Sequence, residues 1–282
     1  MIIEKFSFSS AGNATDHGDL TNFARRGSTG HSSTTHGYVA GGVGISGNIH
    51  GNSNVIQKFA FASAGNATDF STLERAKQGA AGSTSYANGF VAGGYDAAGH
   101  TSKIEKFSLS SGASEDNISN ISLARYTFDG NSSNTHGYVM GGHKAPAPNF
   151  SDIMDKYAYD SPNTNTDIGN LSQARWAPTA QSSSTHGYCS GGNTSGATTA
   201  SNTVDRVAFA SDGNATDHGD LTLARYQATG QSASTHGYAA GGHITGGGVT
   251  NRIDKFAHSS NVSGTDVGDL SVAKRSTTGS EF

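Results

Sequence analysis

The chain has 282 residues, of which 39 are glycine, and its 18 basic and 22 acidic side chains give a net charge of −4. This slight acidity argues against a nucleic-acid partner, because such proteins usually present a basic face. No apolar run approaches the ~18 residues of a membrane-spanning helix, so we expect no membrane insertion. Cys189 is the only cysteine, which excludes an internal disulfide.

Three sequence patterns return along the chain at a period of about fifty residues. One is apolar-acidic-basic-aromatic, first seen at Ile3–Phe6, and another is a leucine or isoleucine followed by a basic residue. The third ends in a double glycine and occupies His36–Gly42, Asn88–Gly94, His136–Gly142, His186–Gly192 and His236–Gly242.

Each repeat is predicted to form four short strands, because helical periodicity is absent and only four prolines occur. The first is built from small residues, as in Gly27 to Ser33, which suits a strand crowded against a central axis. The second is apolar and ends at Gly-Gly, as in Gly37 to Gly41. The third mixes Ile and Phe with charges, as in Ile104 to Leu109, and the fourth leads to a leucine such as Leu221. Four strands per repeat indicate the blade of a β-propeller, with residues 1–282 as one domain.

The count of strands predicts how the ring closes. Five whole blades run from about Arg26 to Leu270, the N-terminus adds the third and fourth strands of another at Ile2 to Leu20, and the C-terminus adds its inner strand at Ser276 to Phe282. Propellers commonly pair terminal strands in one blade. We therefore predict an all-β, six-bladed propeller of four-stranded blades, whose sixth blade is shared by both termini and lacks one strand. The closing Gly-Ser-Glu-Phe departs from the repeat after Gly279, so the chain is expected to be a fragment, or to be completed by further residues or a partner chain.

The order of these patterns resembles the kelch repeat, and Gly93-Gly94-Tyr95-Asp96 is similar to the kelch Gly-Gly-Tyr-Asp opening. The resemblance covers nearly the whole chain and implies a kelch-type propeller with a ligand-binding loop face. It departs at the fourth strand, where the kelch tryptophan is replaced by Asp or Asn, as at Asp16 and Asn117. The sequence around Gly-Asn-Ala-Thr-Asp also resembles kelch-like repeats of marine bacteriophage structural proteins, which implies a virion or tail-fibre component.

A basic residue precedes the inner strand in every repeat, and the kelch resemblance places it on the binding face. The residue that follows is a large aromatic in three adjacent repeats, at Tyr126, Trp176 and Tyr226. Aromatic rings beside cations stack on sugar rings or peptide segments. Two structural alternatives stay open, which are inter-blade ion pairs between the basic and acidic columns and packing of the aromatics between neighbouring blades. The basic column is Arg25, Lys77, Arg125, Arg175, Arg225 and Lys274.

The loops after Gly-Gly belong to the same face by the kelch resemblance, and variable loops on a rigid scaffold usually carry function. We therefore add Tyr95, His143 and His243, which begin three of these loops, to the ligand-binding candidates. The repeated histidine before glycine, such as His36, is interpreted as a hairpin-turn residue, because Asn88-Gly89 stands in the same place and Asn-Gly favours type I′ turns. No metal site and no cofactor is predicted.

Catalytic motifs are absent from the sequence. Tyr188-Cys189 resembles the Tyr and Cys of copper oxidases of this architecture, but Cys189 replaces the Val or Ala of sister repeats. We predict a non-enzymatic recognition or structural module that binds glycan or protein through the loop face. The alternative is a propeller enzyme, glycoside-active or a metal-dependent oxidase. No signal peptide is visible, and a virion is the one location that the resemblance suggests.

Overall fold

The computed structural model describes residues 2–21, 24–46, 49–127, 129–146, 149–161, 165–195 and 199–280. In these ranges every regular element is a β-strand, and all strand pairs are antiparallel. The prediction of an all-β chain is confirmed. The same residues contain no helix of a length and hydropathy that would allow it to span a membrane.

Five four-stranded sheets contain their strands in chain order, as the repeat pattern predicts. The first strand carries small residues and the second ends at Gly-Gly. The third carries an acidic-basic pair in four sheets and Gln57-Lys58 in the first. The sheets are Thr29–Ser32, His36–Ala40, Val55–Ala60 and Thr68–Thr72; Ala81–Thr84, Asn88–Ala92, Lys103–Ser108 and Ser114–Asn120; Asp129–Ser132, His136–Met140, Ile153–Ala158 and Asn165–Asn170; Thr179–Ser182, His186–Ser190, Thr203–Ala208 and Thr216–Asp220; Thr229–Ser232, His236–Ala240, Arg252–Ala257 and Thr265–Asp269.

The two ends of the chain differ from this pattern. Ile2–Lys5 and Thr15–Asp19 form a two-stranded sheet with the sequence of a third and a fourth strand. The predicted inner strand from Ser276 to Phe282 is wrong over residues 276–280, which form no strand, and Glu281 and Phe282 lie outside the described residues. A segment without a second strand beside it has no partner for a β-ladder, which explains the difference.

Smaller sheets are formed by the loops after Gly-Gly, and in three of them a strand that contains the basic residue takes part. In the other two the loop pairs with itself, and single bridges join Gln78 to Tyr95 and Trp176 to Asn193. Their strands are Ala24–Arg26, Val43–Ser46 and Ile49–Asn52; Tyr95–Asp96 and Gly99–His100; Arg125–Tyr126, His143–Lys144 and Asn149–Phe150; Asn193–Ser195 and Thr199–Ala200; Arg225–Tyr226 and His243–Ile244.

Six backbone amides form a closed cycle of hydrogen bonds in front of the first strands. Each N–H donates to the carbonyl of the equivalent residue one repeat earlier, and Gly27 closes the cycle by donating to Ser276 near the other end of the chain, with N···O distances of 2.6–3.2 Å. All six residues have a positive φ of 51–63°. The members of this hydrogen-bond ring are Gly27, Gly79, Thr127, Ala177, Gln227 and Ser276. The ring joins six repeat segments in one closed cycle of hydrogen bonds.

The core lies between neighbouring sheets and is anchored by the aromatic residue of each second strand. Tyr188, which is fully buried, packs against Phe256 of the next sheet at a ring-centroid distance of 5.5 Å and donates its hydroxyl to the carbonyl of His258. Tyr238 packs in the same way on Phe6, which follows the N-terminal strand, at 5.6 Å and donates its hydroxyl to the carbonyl of Phe8. Burying one such aromatic stabilises the fold by roughly 1.5–3 kcal/mol.

The His-Gly dipeptide does not form the hairpin turn, and that prediction is wrong. The turn spans Ser33 to His36, closed by the N–H of Ser33 donating to the carbonyl of His36 at 2.8 Å, and His36 already begins the second strand. No histidine is among the described residues with positive φ. The glycine serves packing instead, because a Cβ at Gly37 would lie 2.3 Å from Cζ of Phe59 on the third strand.

Candidate functional site

The first strands and the hydrogen-bond ring surround a cavity of about 880 Å³. Its wall consists mainly of small glycine, serine, threonine and alanine residues, as the sequence predicts for strands near an axis. Six residues precede the members of the ring and define one mouth of the cavity. They are Arg26, Gln78, Tyr126, Trp176, Tyr226 and Arg275.

The basic column lies behind this mouth, in the core. Arg125 pairs with Asp155 and Arg225 with Asp254 at 2.7 Å, and all four side chains are fully buried. Burial lowers the pKa of the Arg125 guanidinium, while the neighbouring Asp155 carboxylate opposes this shift. The other ion pairs of the column are Lys77–Glu105, Arg175–Asp205 and Lys274–Glu4.

Arg25 is the exception in this column, because Gln57 takes the place of the carboxylate. Its guanidinium donates to the carbonyl of Val55 at 2.7 Å and is also buried. The charged groups of Arg25, Lys77, Arg125, Arg175 and Arg225 are buried and engaged within the protein, so these residues leave the candidate site. Tyr226 is also buried, but it remains a candidate because it lines the cavity. Lys274 is partly exposed but is held by Glu4. The ion-pair alternative is right that the column pairs with acidic residues. The pairs are not between neighbouring sheets, however, because Asp155, Asp205 and Asp254 lie on the third strand of the sheet that the arginine leads into.

Eight aromatic rings follow one another around the mouth, with centroid distances of 4.8–6.3 Å between neighbours. We call this set the aromatic arc. It contains all six aromatic and histidine residues predicted for the ligand-binding face, together with two further residues. Its members are Tyr95, His100, Tyr126, His143, Phe150, Trp176, Tyr226 and His243.

Strand register brings the two predicted groups of the arc together. Tyr126 is the cross-strand partner of His143, and Tyr226 is the partner of His243. Opposed residues of an antiparallel pair have Cβ atoms about 4.5–5.5 Å apart, which is within ring contact. The variable residue that precedes each member of the hydrogen-bond ring and the first residue after Gly-Gly therefore form one surface.

His100 and Phe150 were missed by sequence reasoning. Both lie on the returning strands of loops whose lengths differ from repeat to repeat, so no periodic signal marks them. His100 stacks on His143 at 5.9 Å, and Phe150 lies between His143 and Trp176. These two residues make the arc continuous.

The histidines of the arc do not converge on a metal. Burial, and then the neighbouring His100, lower the pKa of His143, which favours its neutral form at pH 7. Among the described residues, no cluster of three or more His, Cys, Asp or Glu side chains has a geometry that could hold a metal ion.

Cys189 and Tyr188 lie in the core, away from the cavity mouth. The Cys189 thiol is fully buried, and this burial raises its pKa to about 12. The Tyr188 hydroxyl is engaged with the backbone of the next sheet. This placement agrees with Cys189 as a core-filling residue.

His31 in the cavity wall is buried, with Nε2 2.9 Å from Thr29 Oγ1 and Nδ1 3.1 Å from the carbonyl of Ser83. Burial lowers its pKa to about 4, against about 6.5 in an unfolded chain. The neutral form is therefore favoured by folding. The stability contributed by this group is complete above pH 6.5 and is lost as the pH falls toward 4.

We expect this histidine to destabilise the protein by about 2 kcal/mol at pH 5 relative to pH 7. Gln181 and Gln231 hold the equivalent position in two other sheets, so His31→Gln is a conservative test. Urea unfolding at both pH values measures the difference. The decrease in the free energy of unfolding from pH 7 to pH 5 should be smaller by about that amount in the His31→Gln variant. An equal decrease in both proteins would contradict the prediction.

Comparison with protein-family models and with curated proteins found no match for this chain. Its function therefore has to be inferred from its own residues and their geometry.

Proposed function

We propose that the chain is a six-bladed kelch-type β-propeller whose sixth blade is built from both termini. Five four-stranded sheets, an N-terminal two-stranded sheet and the hydrogen-bond ring of six equivalent residues support this proposal. The contact of Gly30 with the backbone of Gly279 supports it further, because it joins the first repeat to the last. In this arrangement the aromatic arc lies along part of one opening of the central channel.

We infer that the protein is a non-enzymatic recognition module that binds a glycan at this opening. The observation that carries the inference is the continuous aromatic arc, in which Tyr126, Trp176 and Tyr226 come from three consecutive blades. Sister repeats have Arg or Gln at the same position, so the scaffold does not require aromatic residues there. Sugar rings stack on such faces through their apolar C–H surfaces.

Charge at the opening favours an acidic glycan. Arg26 and Arg275 occupy the variable position in adjacent blades, and both are exposed. The opening is therefore aromatic on three blades and cationic on two. Carboxylate and sulfate groups are well matched to the planar donors of arginine.

Binding without hydrolysis is favoured by the carboxylates of the channel. Most glycoside hydrolases use two carboxylates that flank the scissile bond. Asp129 is the one acidic side chain among the described residues that line the cavity. Its carboxylate accepts hydrogen bonds from the N–H groups of Gly130 and Ala180, and burial raises its pKa to about 6. A binding module of this kind would suit the virion component that the phage resemblance suggests.

Glycan-array binding of the purified chain, followed by titration of the best acidic glycan, tests this proposal. Loss of a stacked ring at a binding centre costs ~2 kcal/mol or more, so Trp176→Ala should weaken binding at least tenfold. Arg275→Gln should weaken binding of acidic glycans and spare neutral ones. Tyr86→Ala is the matched control, because Tyr86 is 96% exposed and lies in a turn outside the arc.

Unchanged binding in a folded Tyr126→Ala, Trp176→Ala double variant would contradict the assignment of the site. A chain that binds no glycan but captures a protein through these same residues would replace the glycan by a protein ligand.

A further inference from the structure

The N-terminal two-stranded sheet borders a second cavity of about 880 Å³, whose surface is largely apolar. We call it the strand groove. It lies between Ile2–Lys5 on one side and residues 277–280 on the other, with Phe6, Phe8, Phe59 and Phe61 in its wall. In the five four-stranded sheets, the second strand runs between the corresponding two segments.

One part of the groove matches the site where Tyr188 is buried. The Tyr188 ring lies between His218, Phe256 and His258, with centroid distances of 4.7–5.5 Å. Nε2 of His218 is 2.8 Å from the carbonyl of Ala257.

His17, Phe59 and Phe61 hold the equivalent positions in the groove. Nε2 of His17 is likewise 2.8 Å from the carbonyl of Ala60. Three side chains and one hydrogen bond are thus reproduced, and they define a site for an aromatic ring.

The strand at the exposed edge of the groove has the same sequence as another strand whose neighbour in the sheet is seen in the structure. Ile3-Glu4-Lys5-Phe6 is identical to Ile104-Glu105-Lys106-Phe107, which pairs antiparallel with Asn88–Ala92. In that register Gly89 lies opposite Phe107, and a Cβ on Gly89 would come within 2.4 Å of the ring. A strand on the edge of Ile2–Lys5 would therefore need glycine opposite Phe6.

The charges around the groove also favour a strand of this composition. Glu4 at the edge of the groove is already paired with Lys274, as Glu105 is with Lys77. All five second strands, from the His or Asn through Gly-Gly, contain no charged residue. An uncharged, glycine-containing strand with one aromatic residue is complementary to a groove whose carboxylate, Glu4, is already paired with Lys274.

We propose that the strand groove binds an extended segment of a separate polypeptide with the pattern His/Asn-Gly-Tyr/Phe-small-small-Gly-Gly. The segment adds to the edge of Ile2–Lys5 as a β-strand, which is β-augmentation. Its glycine lies opposite Phe6, and its aromatic ring enters the site formed by His17, Phe59 and Phe61. A second copy of this chain is disfavoured as the donor, because each of its own segments of this pattern is the central strand of a four-stranded sheet.

The test uses the intact chain and a synthetic peptide with the sequence of Ser33–Gly42, measured by calorimetry and by the melting temperature. The peptide should bind and raise the melting temperature in proportion to its concentration. Tyr38→Ala in the peptide should weaken binding at least tenfold, and Gly37→Val should abolish it. These variants leave the protein unaltered, so they cannot fail through misfolding.

A matched pair of surface variants tests the location. Val272 lines the groove and is 55% exposed, whereas Val262 is 60% exposed and lies outside it. Val272→Asp should weaken peptide binding at least tenfold, and Val262→Asp should leave it unchanged. Glycan binding at the aromatic arc should stay unaffected by all of these changes, so the two proposals can fail separately.

Three results would overturn the proposal. The first is no binding at peptide concentrations up to about 1 mM, which corresponds to only about −4 kcal/mol. The second is equal binding of the Gly37→Val peptide. The third is a dimer of the chain that the peptide does not dissociate and that Val272→Asp disrupts, which would assign the groove to a second copy.

Discussion

Replacing Asp205 by alanine should lower the free energy of unfolding by roughly 3–5 kcal/mol. Asp205 and Arg175 form an ion pair with both side chains fully buried, and the carboxylate also accepts the N–H of Ser172 at 3.0 Å. Removal of the carboxylate leaves a guanidinium in the core without its counter-charge. Chemical denaturation with a two-state fit measures the loss.

Glu115→Ala is the control for this prediction. Glu115 also forms an ion pair, with Lys106 at 3.1 Å, but 62% of its side chain is exposed. Exposed pairs contribute at most about 1 kcal/mol, so this variant should unfold close to the parent protein. A double-mutant cycle with Arg175→Met should show a smaller total loss than the sum of the single losses. Equal effects of Asp205→Ala and Glu115→Ala would contradict the structural role that we assign to the basic column.

The second large effect is expected from Gly237→Ala, which should destabilise the protein by about 3 kcal/mol. A Cβ at residue 237 would lie 2.3 Å from Cζ of Phe256. That ring cannot move away freely, because it is buried between Tyr188 and His258. The melting temperature and urea midpoint measure the change.

Gly65→Ala provides the comparison, because a Cβ at Gly65 would meet nothing within 4 Å. It should change stability by no more than about 0.5 kcal/mol. If Gly237→Ala melts at the same temperature as Gly65→Ala, the prediction is contradicted. The close contact between the second and third strands would then not explain why glycine recurs at this position in the repeats.

The sequence predicted the parts of the molecule that repeat. Four strands per repeat follow from the recurring patterns, and the place of the aromatic arc follows from Tyr126, Trp176 and Tyr226 at one position. The buried ion pairs were foreseen only as an alternative, because a column of basic residues looks the same on a surface as in a core. Burial decides between the two, and it depends on how neighbouring sheets pack.

Other features could not be predicted because no local pattern carries them. Thr127, Ala177, Gln227 and Ser276 adopt positive φ, which residues with a Cβ rarely do, and all four are members of the hydrogen-bond ring. The His-Gly pair resembles a turn in sequence, yet its glycine is required by a ring on another strand. His100 and Phe150 belong to loops that differ between repeats, so only the structure shows that they are part of the arc.

The packing of the N-terminal sheet has a consequence for synthesis on the ribosome. Phe8 stacks on Tyr238, and the N–H groups of Gly12 and Ala14 donate to the carbonyls of Val267 and Asp269, so these residues have their permanent neighbours more than two hundred residues later in the chain. At about 5–20 residues per second, more than two hundred residues take roughly ten to fifty seconds to translate. Throughout that interval the nascent chain carries Phe6 and Phe8 without their native neighbours, and the cycle closes only after Ser276 has left the exit tunnel.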